Sequence, residues 1–174
     1  MASQSVNLFP AMAVLILTLI PLHGFAQETG KTLIENTCKQ TEFPEECISA
    51  LESDPGSLSA NLTGLTKIII QQSASKLGQT ITLVDTLVKN ATEYLTWGFL
   101  MFCRDSYNIS FNQIQNGLQA FDQLKYDESY KSVAGLNKAV VDCNNQQGLE
   151  ILNQVNTALF RISKDAMQIL DSLF

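Results

Sequence analysis

The residues best equipped for covalent chemistry are four cysteines, Cys38, Cys47, Cys103 and Cys143. Such a set can serve as metal ligands, nucleophiles or disulfides. The spacings contain no paired C-x-x-C, so a zinc site is the weaker reading. Nucleophilic work needs a base, and the one histidine, His23, sits in an unusual place. Residues 1–26 contain no Asp, Glu, Lys or Arg, residues 8–22 are almost wholly apolar, and Gly24-Phe25-Ala26 follows. This predicts a secretory signal peptide over 1–26, cleaved near Ala26, and one mature domain over 27–174. A membrane anchor is the rival, but the run is about 15 residues with Pro10 and Pro21 inside it, where a span needs roughly 20. Cleavage would remove His23, which excludes Ser-His-Asp, Cys-His and His-ligated metal sites from the mature chain. The carboxylates are scattered, and Glu45-Glu46, Asp85 and Asp127-Glu128 read as solvated surface. No Gly-rich phosphate loop or nucleophile motif occurs. The sequence therefore predicts no catalytic residue, no metal, no cofactor and no enzyme activity.

In an exported chain of this size, an even cysteine count reads as two disulfides. Three pairings are open. Cys38–Cys47 would close about 10 residues for roughly 3 kcal/mol, and Cys103–Cys143 about 40 residues for roughly 4 kcal/mol. These energies do not select a pairing. The formal charge of −6 belongs wholly to the mature domain. It disfavours nucleic acid and polyanionic polysaccharide as direct ligands, and leaves open a protein partner with a basic surface. Three N-glycosylation sequons begin at Asn61, Asn90 and Asn108. Asn90 falls at a helix junction, whereas Asn61 and Asn108 are expected inside helices.

These residues are carried by helical patterns. Residues 29–40 form one short piece, and Pro44 opens a second with Glu45 and Glu46 in its first turn, as the helix dipole prefers. Ser53-Asp54-Pro55-Gly56 is the clearest break in the chain. Beyond it, Leu58, Leu62, Leu65, Ile69, Leu77, Ile81, Val84 and Val88 recur at steps of three and four, interrupted by Gln71-Gln72-Ser73, which marks a kink or a wet patch. A second long helix is predicted over about 91–124. Its start, residues 94–102, is apolar nearly all round, which predicts burial on two sides; a ligand cavity and an exposed partner-binding patch are the alternatives. A third helix, about 128–146, places Tyr130, Val133, Leu136, Val140 and Cys143 on one side. The last repeats Leu152, Val155, Leu159, Ile162, Ala166, Ile169 and Leu173. No stretch alternates with a strand period. The fold class is therefore all-α: an antiparallel up-down four-helix bundle preceded by a helical hairpin. Cys103 and Cys143 fall on inward stripes of consecutive helices, which favours pairing them and, with them, Cys38–Cys47.

Several of these residues also carry a resemblance. Thr37-Cys38-Lys39, eight residues to Cys47, then Ser49-Ala50-Leu51-Glu52-Ser53-Asp54-Pro55 is similar to the opening of the plant invertase and pectin methylesterase inhibitor family. Asn61-Leu62-Thr63-Gly64-Leu65 resembles that family's Gly-Leu segment. Leu100, Cys103, Tyr107, Ser110, Ile114, Gly117 and Phe121 follow its downstream spacing, and Tyr126-Asp127, Val133 and Cys143 fit the approach to its fourth cysteine. The resemblance covers roughly residues 33–174.

It implies a four-helix bundle with an N-terminal hairpin and bridges Cys38–Cys47 and Cys103–Cys143. It also implies a secreted inhibitor, in the apoplast or the vacuole, that forms a one-to-one complex with a plant carbohydrate-active enzyme. The whole-length resemblance leans slightly toward inhibitors of acid invertase (beta-fructofuranosidase), with pectin methylesterase as the alternative target. Invertase inhibitors resemble one another in a Pro-Lys-Phe wedge before the fourth cysteine. Here that place is taken by Tyr126-Asp127-Glu128, which makes these three the candidate partner-binding residues, with Tyr126 the anchor. The alternative for Tyr126 is a cap on the core, with both acids solvated. A ligand carrier using the aromatic block and a receptor-binding bundle remain the competing functions.

Overall fold

The computed structural model describes residues 30–174, so the signal-peptide expectation lies outside the described residues. Within them the chain forms α1 (Gly30–Cys38), α2 (Pro44–Glu52), α3 (Leu62–Asn90), α4 (Tyr94–Asp122), α5 (Tyr126–Asn144) and α6 (Asn153–Asp171). Short 3₁₀ turns at Pro55–Ser59 and Glu150–Leu152 precede α3 and α6. There is no strand among the described residues. Helices α3 to α6 close a ring in which each packs on the next and α6 returns to α3. This is the up-down four-helix bundle the apolar stripes predict. The hairpin α1–α2 lies across one side and rests chiefly on α6 and α3.

Local chemistry sets where the helices start. Pro44 occupies the first turn of α2, with Glu45 and Glu46 beside its free N–H groups. Asp54 accepts a hydrogen bond from the Gly56 N–H at 2.8 Å, which holds the chain in the 3₁₀ turn after Pro55. Asn61 then caps α3, its Oδ1 accepting from the Gly64 N–H at 2.9 Å. Leu58 therefore belongs to the turn and is exposed, not the first member of the α3 stripe. The helix runs unbroken through Gln71-Gln72-Ser73. Ser73 is buried, yet its hydroxyl donates to the Ile69 carbonyl at 2.9 Å. Thr66, Thr80 and Ser110 bond back to their own helices in the same way, so these four hydroxyls enter the core already satisfied.

Both disulfides tie helix to helix: Cys38–Cys47 clips the hairpin, and Cys103–Cys143 joins α4 to α5, with Cα atoms 5.6 and 5.1 Å apart. Beside the second bridge, the fully buried Tyr107 donates its hydroxyl to Asn156 Oδ1 at 2.7 Å. Asn156 in turn donates to Asn144 Oδ1 at 2.7 Å, so three of the bundle helices share one polar network. Burial pushes the Tyr107 phenol above its ordinary range, with the Asn156 bond opposing. Farther along, a Cβ at Gly117 would lie 2.6 Å from Ser132 Cβ, so only glycine lets α4 and α5 come this close.

The turn from α4 to α5 departs from its usual composition. The Lys125 N–H reaches back to the Ala120 carbonyl and the Leu124 N–H to the Phe121 carbonyl, both at 2.9 Å, which is a Schellman ending. Its left-handed position is held by Leu124 at φ 61°, where glycine is the common choice, and that side chain is 72% exposed. A leucine there pays roughly 1–2 kcal/mol of Cβ strain with little burial in return. Leu124→Gly is therefore expected to raise the unfolding free energy by about 1 kcal/mol, read as a higher urea midpoint at unchanged slope.

Candidate functional site

The residues in the wedge position begin α5. Tyr126 is half-buried and lays its ring on Phe121, centroids 5.1 Å apart, so it helps close the bottom of the core. Asp127 and Glu128 are exposed in the first helical turn, where the dipole favours negative charge. Lys125 is exposed as well. The outermost apolar group of this turn is Leu124, which the sequence reading left unremarked. The turn is braced from behind: Lys67 of α3 pairs with Asp122 at the last residue of α4. The tip is thus a rigid corner bearing one apolar side chain and three charges.

The other candidate residues are spread over the molecule. Asn61, as the α3 cap, lies just before that helix and not inside it, at the same end of the bundle as Tyr126. Asn90 is the exposed last residue of α3, at the opposite end. Asn108 is exposed midway along α4, and its Nδ2, the atom a glycan would occupy, donates to the Arg104 carbonyl at 2.9 Å. The half-cystines are buried and join helices from within the core.

Residues 94–102 correct the core-packing expectation. Leu100 is buried, but Tyr94, Leu95, Trp97 and Phe102 are exposed, and Tyr94 stacks on Trp97 with centroids 6.2 Å apart. This stretch opens α4 at the end of the bundle, where neighbouring helices cover only one of its sides. It does not line the groove of about 430 Å³ between α2, α3 and α6, which is bordered by Glu45, Ser49, Gln72, Lys76, Gln79 and Ile162.

Two expected surface acids are only half-exposed and carry structural work. Asp85 pairs with Arg104 Nε at 2.7 Å, joining α3 to α4, and Glu46 pairs with Arg161, joining α2 to α6. Arg161 also sits over the Phe43 ring, 5.1 Å from its centre, and Phe43 packs edge-on against Phe160. The buried carboxyl is one the sequence reading passed over, Asp165. Its Oδ1 accepts from the Phe43 N–H at 3.0 Å, while Oδ2 is buried without a hydrogen-bond partner. Burial pushes Asp165 up to about 6; the bonds from Phe43 and Thr41 oppose this, and the charges of Glu46 and Glu42 add to it.

In the folded chain this group holds its proton up to about pH 6, whereas the unfolded chain releases it near 3.8. The folded state therefore binds the extra proton across that window, and stability falls as pH rises through it. Asp165→Asn is expected to flatten the profile between about pH 4 and 6 and to be more stable than wild type at neutral pH by on the order of 1–2 kcal/mol. Urea midpoints measured at several pH values check this. An equally steep profile in the variant would assign the dependence to other groups.

The protein is a disulfide-clipped helical hairpin mounted on a disulfide-braced four-helix bundle. The family model for plant invertase/pectin methylesterase inhibitors matches residues 32–167, and the chain belongs to that family. The match takes in the hairpin, both disulfides and most of the bundle. Among similar proteins, the cell wall / vacuolar inhibitor of fructosidase 2 of Arabidopsis thaliana is 29% identical over 111 residues, covering 59% of this chain and 57% of that protein. The pectinesterase inhibitor of Actinidia deliciosa is 32% identical over 104 residues, covering 59% of this chain and 56% of that protein. The chain thus spans a little over half the length of the curated relatives it matches. A mutant form of a pectin methylesterase inhibitor from Arabidopsis superposes with a TM-score of 0.69, covering 79% of this chain and 95% of its own at 13% identity. A second pectin methylesterase inhibitor structure, from Arabidopsis thaliana, gives 0.62 at 13% identity, covering 83% and 97%. At that identity the likeness establishes the shared fold.

Proposed function

We infer that this chain is an exported protein inhibitor of a plant carbohydrate-active enzyme, acting in cell-wall fluid or the vacuole through a one-to-one complex, and is not itself an enzyme. Family membership over residues 32–167 carries this reading. Acid invertase is the target we favour slightly, with pectin methylesterase the alternative; the two relatives above divide evenly between these names. Residues 1–26 serve as the signal peptide, and 27–174 are the mature domain, which intact mass of the secreted protein tests directly. Asn90, exposed at a helix end, is the sequon best placed to carry a glycan.

The α4–α5 corner is the docking edge in this reading. A bundle braced by disulfides can enter a substrate cleft at little entropic cost and exclude the sugar. Leu124 supplies the apolar contact and Tyr126 sets its position from the core side, while Asp127 and Glu128 meet the target's own charges. Titration of residues 27–174 against an acid invertase and a pectin methylesterase tests the function. Loss of one activity at equimolar inhibitor supports it, and two unaffected enzymes overturn it. Leu124→Asp is expected to weaken inhibition at least about tenfold without loss of folding, as for an apolar anchor. Tyr126→Ala should lower stability by about 1–3 kcal/mol, the range for thinning a partly buried aromatic contact. An unchanged inhibition constant for Leu124→Asp would move the interface to the helix faces.

A further inference from the structure

The turn between α1 and α2, residues 39–43, is fastened to α6 by two hydrogen bonds from its backbone. The Phe43 N–H donates to Asp165 Oδ1 at 3.0 Å, and the Glu42 N–H donates to Gln168 Oε1 at 2.8 Å. Asp165 and Gln168 lie three residues apart, so both acceptors share one face of α6. Of the two, only Asp165 titrates. It has no solvent exposure, and its second oxygen, Oδ2, is buried without a hydrogen-bond partner.

The charges around Asp165 work against its ionisation. The turn brings Glu42 near it and α2 brings Glu46, and both acids strengthen its hold on the proton. Arg161, one helical turn back on α6, is paired with Glu46 and lies over the Phe43 ring. No ion pair among the described residues includes Asp165 or its chain neighbour Lys164. Helices α1, α3 and α5 supply no charge that shifts it. An ionised carboxylate must therefore keep Oδ2 dry and unpaired, which is expensive, or admit water. Lifting the turn gives water that route. The Cys38–Cys47 bridge bounds the segment that moves, and the buried Ile34 and Leu51 lie four residues outside it on either side. These two side chains keep α1 and α2 seated while the turn between the half-cystines opens.

We propose that Asp165 is a proton-operated latch: neutral, it pins the α1–α2 turn to α6, and ionised, it lets that turn lift, so the hairpin is fastened in acid and loosened toward neutrality. This device belongs to the fold and does not depend on which enzyme the chain inhibits. With the turn seated, Asp165 keeps its proton up to about pH 6; with the turn lifted, it releases it near 3.8. The lifted fraction should therefore rise about tenfold from pH 5 to pH 7 and fall back on acidification. The described residues contain no histidine to share that window.

Amide hydrogen exchange of disulfide-intact residues 27–174, followed by NMR and corrected for the intrinsic rate at each pH, tests the latch. Protection of the Glu42 and Phe43 amides is expected to fall about tenfold from pH 5 to pH 7. At each pH both should exchange faster than the core amides of Ile69 and Leu159, the mark of a local opening. Asp165→Asn keeps an acceptor for Phe43 and should leave turn protection level across this range. Gln168→Met removes the other fastening, and should lower Glu42 protection at every pH while keeping the slope. Level protection in wild type overturns the latch, as does an unchanged slope in Asp165→Asn. Turn amides that exchange no faster than the core would overturn it too, by showing that the turn opens only when the whole domain unfolds.

Discussion

Leu159→Asp is expected to unfold the domain or to remove more than about 5 kcal/mol of its stability, the sum of a core cavity and a buried charge. Leu159 has no solvent exposure and sits near the middle of α6, the helix on which α3, α5 and the hairpin all converge. Truncation to alanine alone should cost about 2–5 kcal/mol. The aspartate adds a carboxylate with no donor nearby, which must stay protonated or drag water into the core. Comparing Leu159→Ala with Leu159→Asp in urea separates the two contributions. Equal midpoints would show that the acid finds solvent. Ile162→Asp provides the contrast: its side chain borders the open groove beside α2, so its carboxylate can turn toward water and the loss should be smaller.

Cys103→Ala with Cys143→Ala is expected to cost about 4 kcal/mol, because this bridge shortens the unfolded chain by a 40-residue loop. The matching change at Cys38 and Cys47, a separation of 9, should cost about 3 kcal/mol. The larger difference lies in what loosens. The long bridge adjoins the Tyr107–Asn156–Asn144 network, with Asn156 Nδ2 3.5 Å from Cys143 Sγ, so its loss unsettles three helices together. Loss of the short bridge frees only the hairpin. Thermal unfolding by circular dichroism should remain one sharp transition for the Cys38/Cys47 variant and broaden for the Cys103/Cys143 variant. A smaller penalty for the long bridge would mean that the unfolded chain already holds α4 and α5 together.

The bundle was legible because each long helix repeats apolar residues at one angular position. In α6 the stripe Leu159, Ile162, Ala166 and Ile169 lies on the buried face. Residues 94–102 were misread for the opposite reason. With apolar groups on every side, periodicity cannot say which side the core takes, and position at the bundle end decides it. Asp165 and Asn156 escape a reading by residue type, because carboxylates and amides are mostly exposed. Their positions carried the signal: Asp165 is three residues past Ile162 and four before Ile169, and Asn156 is three before Leu159, so both lie on the inward face. Leu124 could not have been found by type, since left-handed backbone at a leucine has no local mark. The family's wedge position falls instead on Tyr126, two residues away, whose ring turns toward the core.

The hairpin's anchors span nearly the whole described chain. The Phe43 N–H reaches Asp165 across 122 residues, and the Glu42 N–H reaches Gln168 at 2.8 Å across 126. During synthesis the hairpin emerges before α6, which carries the groups that hold it. Its disulfide spans a separation of 9 and can close before the docking site on α6 has been synthesised. The hairpin must then wait, apolar residues uncovered, until α6 arrives. Without α6 the clipped hairpin keeps only its seat on α3 and loses both long-range backbone anchors, so the docking of its buried Ile34 and Leu51 is completed only when α6 folds.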